Sequence, residues 1–270
     1  MKKIKAFTLS EALVTLVLLG IVTALTLPFF IDSFQKEKWA LSYKRSFSET
    51  YNALTRLALE EDCAKSLTCT HVFDGGQIVS TQALGNGLTK VMATKINCGT
   101  EEGSCFSHNV KVGFSPKAKE ESLMETMITD IGFHEDLQNF YTFQSTRGVS
   151  YAVFSFGMNC LNIATTDEEK RINEAYIEHY VNEKEGTDIS ENQMLSLCGF
   201  AIMDMNGAQK PNVWGRDVFG IWLTDRSVLG VYPFGGEYDK RFYGRCNSDS
   251  SQDTRGCAAQ IIKDGWKMLY

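Results

Sequence analysis

The chain has 270 residues, which is enough for one or two domains with a sizeable core. Its formal net charge is −6, and removal of the three lysines in residues 1–6 would leave −9. An acidic chain gains nothing from counterion release on a phosphate backbone, so broad nucleic-acid binding is not favoured.

The N-terminus combines a basic leader with a long apolar segment. Residues 1–6 contain Lys2, Lys3 and Lys5, and residues 12–31 are predominantly apolar. That segment has the roughly 20 residues that a helix needs to cross a bilayer. A single carboxylate, Glu11, stands near the junction. Because a carboxylate in lipid is costly and usually has a function, Glu11 is the leading candidate for a functional residue.

These residues resemble the N-terminus of type IV pilins and type II secretion pseudopilins. Ala6 is the small residue before the expected cut, Phe7 follows it, and Glu11 is the fifth residue after it. Gly20 and Pro28 fall where many pilins weaken the helix, although Ala6 stands where the family usually has glycine. The resemblance covers about residues 1–60. It implies that a prepilin peptidase cuts between Ala6 and Phe7 and that the new amine of Phe7 is methylated.

The resemblance also implies how such subunits assemble. In a filament core made of apolar helices, Glu11 would pair with the free amine of Phe7 on an adjacent subunit. Opposite charges in a low dielectric penalise misregistered packing, so such a pair gives specificity more than stability. Gly20 and Pro28 belong to the same predicted assembly segment.

Two simpler interpretations compete with this one. An ordinary secretory signal also has a basic leader and an apolar core, but Glu11 interrupts the start of that core and no small-x-small cleavage site stands clearly before Pro28. A plain single-span anchor explains the length of the apolar segment. It does not explain a carboxylate five residues after the leader.

The sequence predicts one long helix over residues 7–62. Its first half is apolar on all sides, and Pro28 should kink it or locally melt it. Its second half has apolar residues at intervals of three or four, which predicts a stripe packed on a sheet. The stripe consists of Trp39, Tyr43, Phe47, Tyr51, Leu54 and Ala58. The residues predicted to stay in solvent are Lys44, Arg45, Glu49 and Arg56.

The eight cysteines predict a disulfide framework, since their number is even and the domain is expected to be exported. Proximity favours the pairs Cys63 with Cys69, Cys98 with Cys105, Cys246 with Cys257, and the longer Cys160 with Cys198. Other connectivities stay open. A zinc site on Cys63, Cys69 and His71 is the alternative, but no C-x-x-C pair supports it.

The remainder of the chain suggests alternating elements. The glycine-rich residues 63–115 predict loops, and the spacing of Leu123, Met127, Ile128 and Ile131 predicts a helix over residues 117–131. A charged helix is expected at 167–184. Strands are expected at 149–156, 200–205, 218–224 and 227–232. The short turns between the last three favour an antiparallel meander.

One loop contains several oxygen-bearing side chains between two predicted strands. Asp204, Asn206, Asn212 and Asp217 could surround a hard cation, and calcium is the cation such oxygens would select. The loop resembles the calcium loops near the C-terminus of some pseudopilins only in general character. The favoured alternative is a turn, because Asn-Gly and Pro-Asn are turn dipeptides and Asp caps backbone amides.

The C-terminal tail is expected to anchor on the core through Ile261, Ile262, Trp266 and Leu269. Sequence motifs of hydrolases, zinc proteases and P-loop enzymes are absent from the chain. An enzymatic function is therefore not predicted.

Together these features predict an α+β fold in which a long N-terminal helix packs on an antiparallel sheet with disulfide-stapled loops. The expected organisation is a leader at 1–6, a transmembrane and filament-core helix at 7–31, and a globular domain at 32–270. The predicted function is that of a minor or specialised subunit of a type IV pilus or a type II secretion pseudopilus. The alternative is an exported binding or adhesin domain on a single-span anchor.

The resemblance also implies partners and a location. The expected partners are other pilin or pseudopilin subunits, the prepilin peptidase, the inner membrane and the assembly machinery. The expected location is the bacterial inner membrane with the globular domain exported, and then a filament in the periplasm or at the cell surface.

Overall fold

The computed structural model describes residues 9–63, 66–67, 69–100, 105–107, 109–123, 140–157, 197–225, 230–236, 239, 242–246 and 253–270. The chain divides into two compact units, Met1–Lys38 and Trp39–Tyr270. The first unit contains the apolar part of the N-terminal helix, and the second contains the sheets and the hydrophobic core.

The predicted α+β fold is confirmed. Helix α1 spans Leu9–Glu60, and the described residues include a six-stranded antiparallel sheet. In the order in which they lie in this sheet, its strands are β1 (Thr94–Gly99), β4 (Tyr141–Ser145), β5 (Ser150–Ser155), β6 (Leu197–Asp204), β7 (Val218–Thr224) and β8 (Val231–Pro233). Strands β4 to β8 lie beside their chain neighbours in order, which confirms the meander predicted for the last three strands, β6 to β8. The third of these was expected at 227–232, and β8 spans Val231–Pro233. A second, two-stranded sheet pairs β2 (Asn109–Lys111) with β3 (Glu120–Ser122).

The second half of α1 packs on the sheet through the predicted stripe. Trp39, Tyr43, Leu54 and Ala58 are buried, while Phe47 and Tyr51 are partly buried against the same core. On the sheet side, all of β7 is buried. Burial of a large apolar side chain contributes about 1.5–3 kcal/mol, so this stripe is a main source of stability for the second unit.

The region predicted as loops contains a helix that the sequence analysis missed. Helix α2 spans Gln77–Val91 and includes Gly85 and Gly87. A Cβ on Gly85 would overlap the ring of Tyr141, and one on Gly87 would lie 3.2 Å from Leu57. These glycines therefore allow the helix to approach its neighbours closely, whereas their pattern in the sequence predicts turns.

The prediction of a helix over residues 117–131 is wrong at the beginning of that range. Residues Glu120–Ser122 form β3, and Leu123 is buried. Met127, Ile128 and Ile131 lie outside the described residues, as does the helix expected at 167–184. The register of β3 with β2 pairs Glu120 with Lys111, whose charges lie 3.6 Å apart.

The C-terminal tail ends on a short helix, α3, spanning Cys257–Lys263. Ile261 is fully buried, and Ile262 and Trp266 pack partly buried against the core, as predicted. The prediction for Leu269 is wrong, since its side chain is 72% exposed and Met268 is buried instead.

Candidate functional site

The first unit presents an apolar helix surface. Every large aliphatic or aromatic side chain between Leu9 and Phe34 is exposed. Its length and composition suffice for a membrane crossing, although a signal sequence would pass the same test. A helix that is apolar on all sides requires lipid or other apolar helices around it.

Glu11 lies in the first turn of α1, at the start of this apolar surface, and its side chain is exposed. The hydroxyl of Thr15 donates to the backbone carbonyl of Glu11 at 3.0 Å, a bond within the helix that does not involve the carboxylate. Ala6 and Phe7 lie outside the described residues. The structure thus places the predicted acid at the end of the apolar helix nearest the leader.

Gly20 and Pro28 both lie inside α1. The helix runs without interruption through Pro28, so the local melting expected there is not observed. A Cβ at Gly20 would meet no described residue within 4 Å, so the described part of the chain does not require a glycine at this position.

Residues 1–27 match the family model of the prokaryotic N-terminal methylation motif. The N-terminus is a prepilin signal of the type IV pilin and pseudopilin kind. The matched segment covers Ala6, Phe7, Glu11 and Gly20 of the sequence resemblance, and Pro28 follows directly after it. No curated protein and no solved structure matches the chain significantly.

The prepilin signal has consequences for the whole chain. It implies processing by prepilin peptidase and assembly with other pilin subunits, and it points to a structural subunit rather than an enzyme. Together with the exposed apolar helix, it is consistent with anchoring in an inner membrane.

Among the described residues, three disulfide bonds have both of their cysteines described, and all three lie in the second unit. They join Cys63 to Cys69, Cys98 to Cys105 and Cys246 to Cys257, the three local pairs that proximity favoured. Cys198 is also disulfide-bonded, and Cys160 lies outside the described residues. With Cys63 and Cys69 in a disulfide, their thiolates are not available as ligands for the alternative zinc site.

The four residues of the predicted calcium loop are brought together between β6 and β7. Asp204 ends β6, and Asp217 immediately precedes β7; both carboxylates are fully buried. Asp217 accepts backbone N–H bonds from Asn212 at 2.9 Å and from Val213 at 2.7 Å. Asp204 accepts the backbone N–H of Asn206 at 3.1 Å. These bonds are typical of a turn in which aspartate side chains cap the backbone N–H groups of their own loop.

Asn212 connects the two aspartates. The side-chain amide is oriented so that its nitrogen and its oxygen both have hydrogen-bond partners. Its Nδ2 donates to Asp204 Oδ2 at 3.2 Å and to the Gln209 carbonyl at 2.7 Å. Its Oδ1 then accepts from the hydroxyl of Ser107 at 3.0 Å. The backbone of Asn212 has φ of 50°, in the left-handed region that asparagine tolerates better than most residues.

Burial governs the protonation of this loop. Burial, and then the neighbouring charge of Asp217, raises the pKa of Asp204 to about 9. Burial also raises the pKa of Asp217, although backbone N–H donors oppose that effect. Among the described residues there is no group of three acidic, histidine or cysteine side chains that could hold a metal ion. Calcium binding here stays a prediction.

Proposed function

We propose that this protein is a minor or specialised structural subunit of a type IV pilus or a type II secretion pseudopilus. The observation that carries the proposal is the prepilin signal continued directly by an apolar helix whose large side chains are exposed from Leu9 to Phe34. Its length of 270 residues favours a minor subunit, since the major subunits of this family tend to be smaller.

The proposed mechanism is assembly through the N-terminal helix. Prepilin peptidase cuts between Ala6 and Phe7, and the helix then waits in the inner membrane with the globular unit exported. An assembly machine extracts the helix into a filament core. That transfer is feasible because contacts between apolar helices replace contacts with lipid at little net cost.

Glu11 supplies the register in this proposal. Its exposed carboxylate pairs with the amine of Phe7 on an adjacent subunit. A subunit packed one helical turn out of place would leave both charges unpaired in a low dielectric, which is strongly unfavourable. Gly20 and Pro28 let the helix adjust to its neighbours, since glycine packs closely and proline removes one backbone donor.

Mass spectrometry of the native protein tests the processing step. The protein is taken from the membrane fraction and from the sheared surface fraction, and its N-terminal peptide is sequenced. We expect a mature chain that begins with N-methylated Phe7. A chain that retains Met1, or one that is cut near Pro28, would contradict the proposal and leave an anchored or secreted domain.

A pair of variants tests the assembly step. Glu11→Leu should insert into the membrane and be processed, but should yield no filaments that contain it. Glu37→Leu is the matched control, because Glu37 is an exposed carboxylate on the same helix beyond the apolar segment. Immunogold counts of filaments carrying the protein give the readout. An unchanged count for Glu11→Leu would favour the single-span anchored binding domain.

A further inference from the structure

A groove of about 760 Å³ lies in the second unit between α1, the C-terminal end of α2 and the turn that joins β4 to β5. The α1 side contributes one face of the helix at intervals of three or four residues, and it includes Leu41, Arg45, Ser48, Asn52 and Arg56. The opposite side contributes Val91, Met92, Ala93 and Arg147.

The charge of the groove is opposite to that of the whole chain. Four cations line it, namely Lys44, Arg45, Arg56 and Arg147, against the single carboxylate of Glu49. The chain as a whole carries −6. Positive charge is thus concentrated in one concave place on an acidic protein, where walls of low dielectric strengthen its field.

The four cations differ in what they already bind. Arg147 forms an ion pair with Glu49, and Arg56 pairs with Glu60 on the same helix at 3.0 Å. Within the described part of the chain, neither Lys44 nor Arg45 has an ion pair. The ammonium of Lys44 stands 5.5 Å from the centre of the Trp266 ring, which holds it in place without neutralising it.

The remaining lining of the groove is apolar. Ala53 and Met92 are buried at its base, while Leu41 is 46% exposed at one end and Val91 is partly buried. An apolar base between cations fits a ligand that alternates carboxylates with aliphatic groups.

The length of the groove indicates the size of its ligand. Arg56 follows Arg45 by eleven positions on α1, a distance of about 16 Å at 1.5 Å per residue. An extended peptide covers about 3.3 Å per residue, so about five residues reach from one end to the other. A single phosphate or carboxylate would occupy only one end.

We infer that this groove is a docking site for an acidic polypeptide segment of about five extended residues, with aliphatic side chains between its carboxylates. Arg45 and Lys44 receive a carboxylate at one end. Arg56, whose Nε–H binds Glu60, receives one on its terminal N–H groups at the other end, and an aliphatic side chain lies on Ala53 and Met92. This inference does not depend on N-terminal processing, and it concerns a surface of the globular unit alone.

Fluorescence anisotropy on the full chain in detergent micelles tests the inference. The probe is a fluorescein-labelled hexapeptide of alternating glutamate and leucine. The reference probes are the same peptide with glutamine in place of glutamate and a labelled single-stranded hexathymidylate. We expect the acidic peptide to bind, to weaken as salt is added, and to bind at least tenfold more tightly than either reference.

Charge reversal identifies the site. Arg45→Glu should weaken binding of the acidic peptide at least tenfold, whereas Lys117→Glu, at an exposed lysine outside the groove, should change it less than twofold. Both positions are exposed, so both variants should keep the wild-type near-UV circular dichroism. Equal effects of the two variants, absence of binding, or tighter binding of the oligonucleotide would each overturn the inference. Because these measurements ignore the N-terminus, their failure would leave the assembly proposal intact.

Discussion

Tyr43 of α1 stacks on Phe219 of β7, with ring centroids 4.7 Å apart and an interplanar angle of 30°. Both rings are buried, and Trp266 from the C-terminal tail lies 5.9 Å from Tyr43. Tyr43 of the long helix therefore packs against both the central sheet and the C-terminal tail.

Two substitutions at Tyr43 should distinguish the contribution of its ring to stability from that of its hydroxyl. The ring is buried, and within the described part of the chain its hydroxyl has no hydrogen-bond partner. Tyr43→Ala should destabilise the second unit by about 3–5 kcal/mol, as large-to-small core changes do. Tyr43→Phe should be neutral or stabilising by up to about 1 kcal/mol, because it removes an unsatisfied polar group. Urea unfolding in detergent, followed by tryptophan fluorescence, measures both. A destabilising Tyr43→Phe would mean that the hydroxyl has a partner.

The protonation of Asp204 should make stability depend on pH. Its pKa is about 9 when folded and near the ordinary value of about 3.9 when unfolded, so the folded chain keeps a proton that the unfolded chain releases. The stability from this group is fully present below about pH 4 and is lost as pH rises toward 9. The slope is at most about 1.4 kcal/mol per pH unit.

The variant Asp204→Asn should therefore gain stability relative to the wild type as pH rises from 4 to 9. Differences in the urea midpoint between the two proteins, measured at one-unit steps, report this change. Asp74→Asn is the control, since it makes the same substitution at an exposed aspartate. A constant difference for Asp204→Asn would show that Asp204 is ionised in the folded protein.

At neutral pH the carboxylate of Asp217 should contribute more to the free energy of unfolding than that of Asp204. Asp217 accepts two backbone N–H bonds, and an asparagine there would direct an N–H against one of these donors. We expect Asp217→Asn to cost about 1–3 kcal/mol of unfolding free energy. The melting temperature of the wild type should be the same in calcium and in a chelator. A calcium-dependent rise that both Asp204→Asn and Asp217→Asn abolish would instead establish a calcium site.

Gly85 should not tolerate a side chain. A Cβ there would overlap the buried ring of Tyr141, so Gly85→Ala should destabilise by about 1–3 kcal/mol despite the better helix propensity of alanine. Gly76→Ala is the control, because nothing lies within 4 Å of its added Cβ and its φ of −69° suits alanine. The change in melting temperature relative to the wild type should differ between the two variants in sign or by at least several degrees. Equal melts would mean that Tyr141 can move aside.

The elements predicted correctly are those with a strong local pattern. The long helix and its buried stripe follow from apolar spacing of three and four, and β5, β6 and β7 follow from runs of β-branched and aromatic residues. Helix α2 was missed because Gly85 and Gly87 indicate turns locally, and only the contacts with Tyr141 and Leu57 explain them. The pattern at residues 120–122 indicated a helix, but pairing with β2 made it a strand.

The candidate sites show the same division. The prepilin signal, with Glu11 at its fixed distance from the leader, is a linear pattern, so the sequence by itself determined it. Sequence also favoured the three local disulfides, since short loops close easily. The basic groove depends on a contact between Arg147 and a helix face that lies about a hundred residues earlier in the chain. The protonation of Asp204 likewise depends on burial beside Asp217. Only the tertiary structure decided these features, because desolvation and the proximity of distant charges arise when the chain packs.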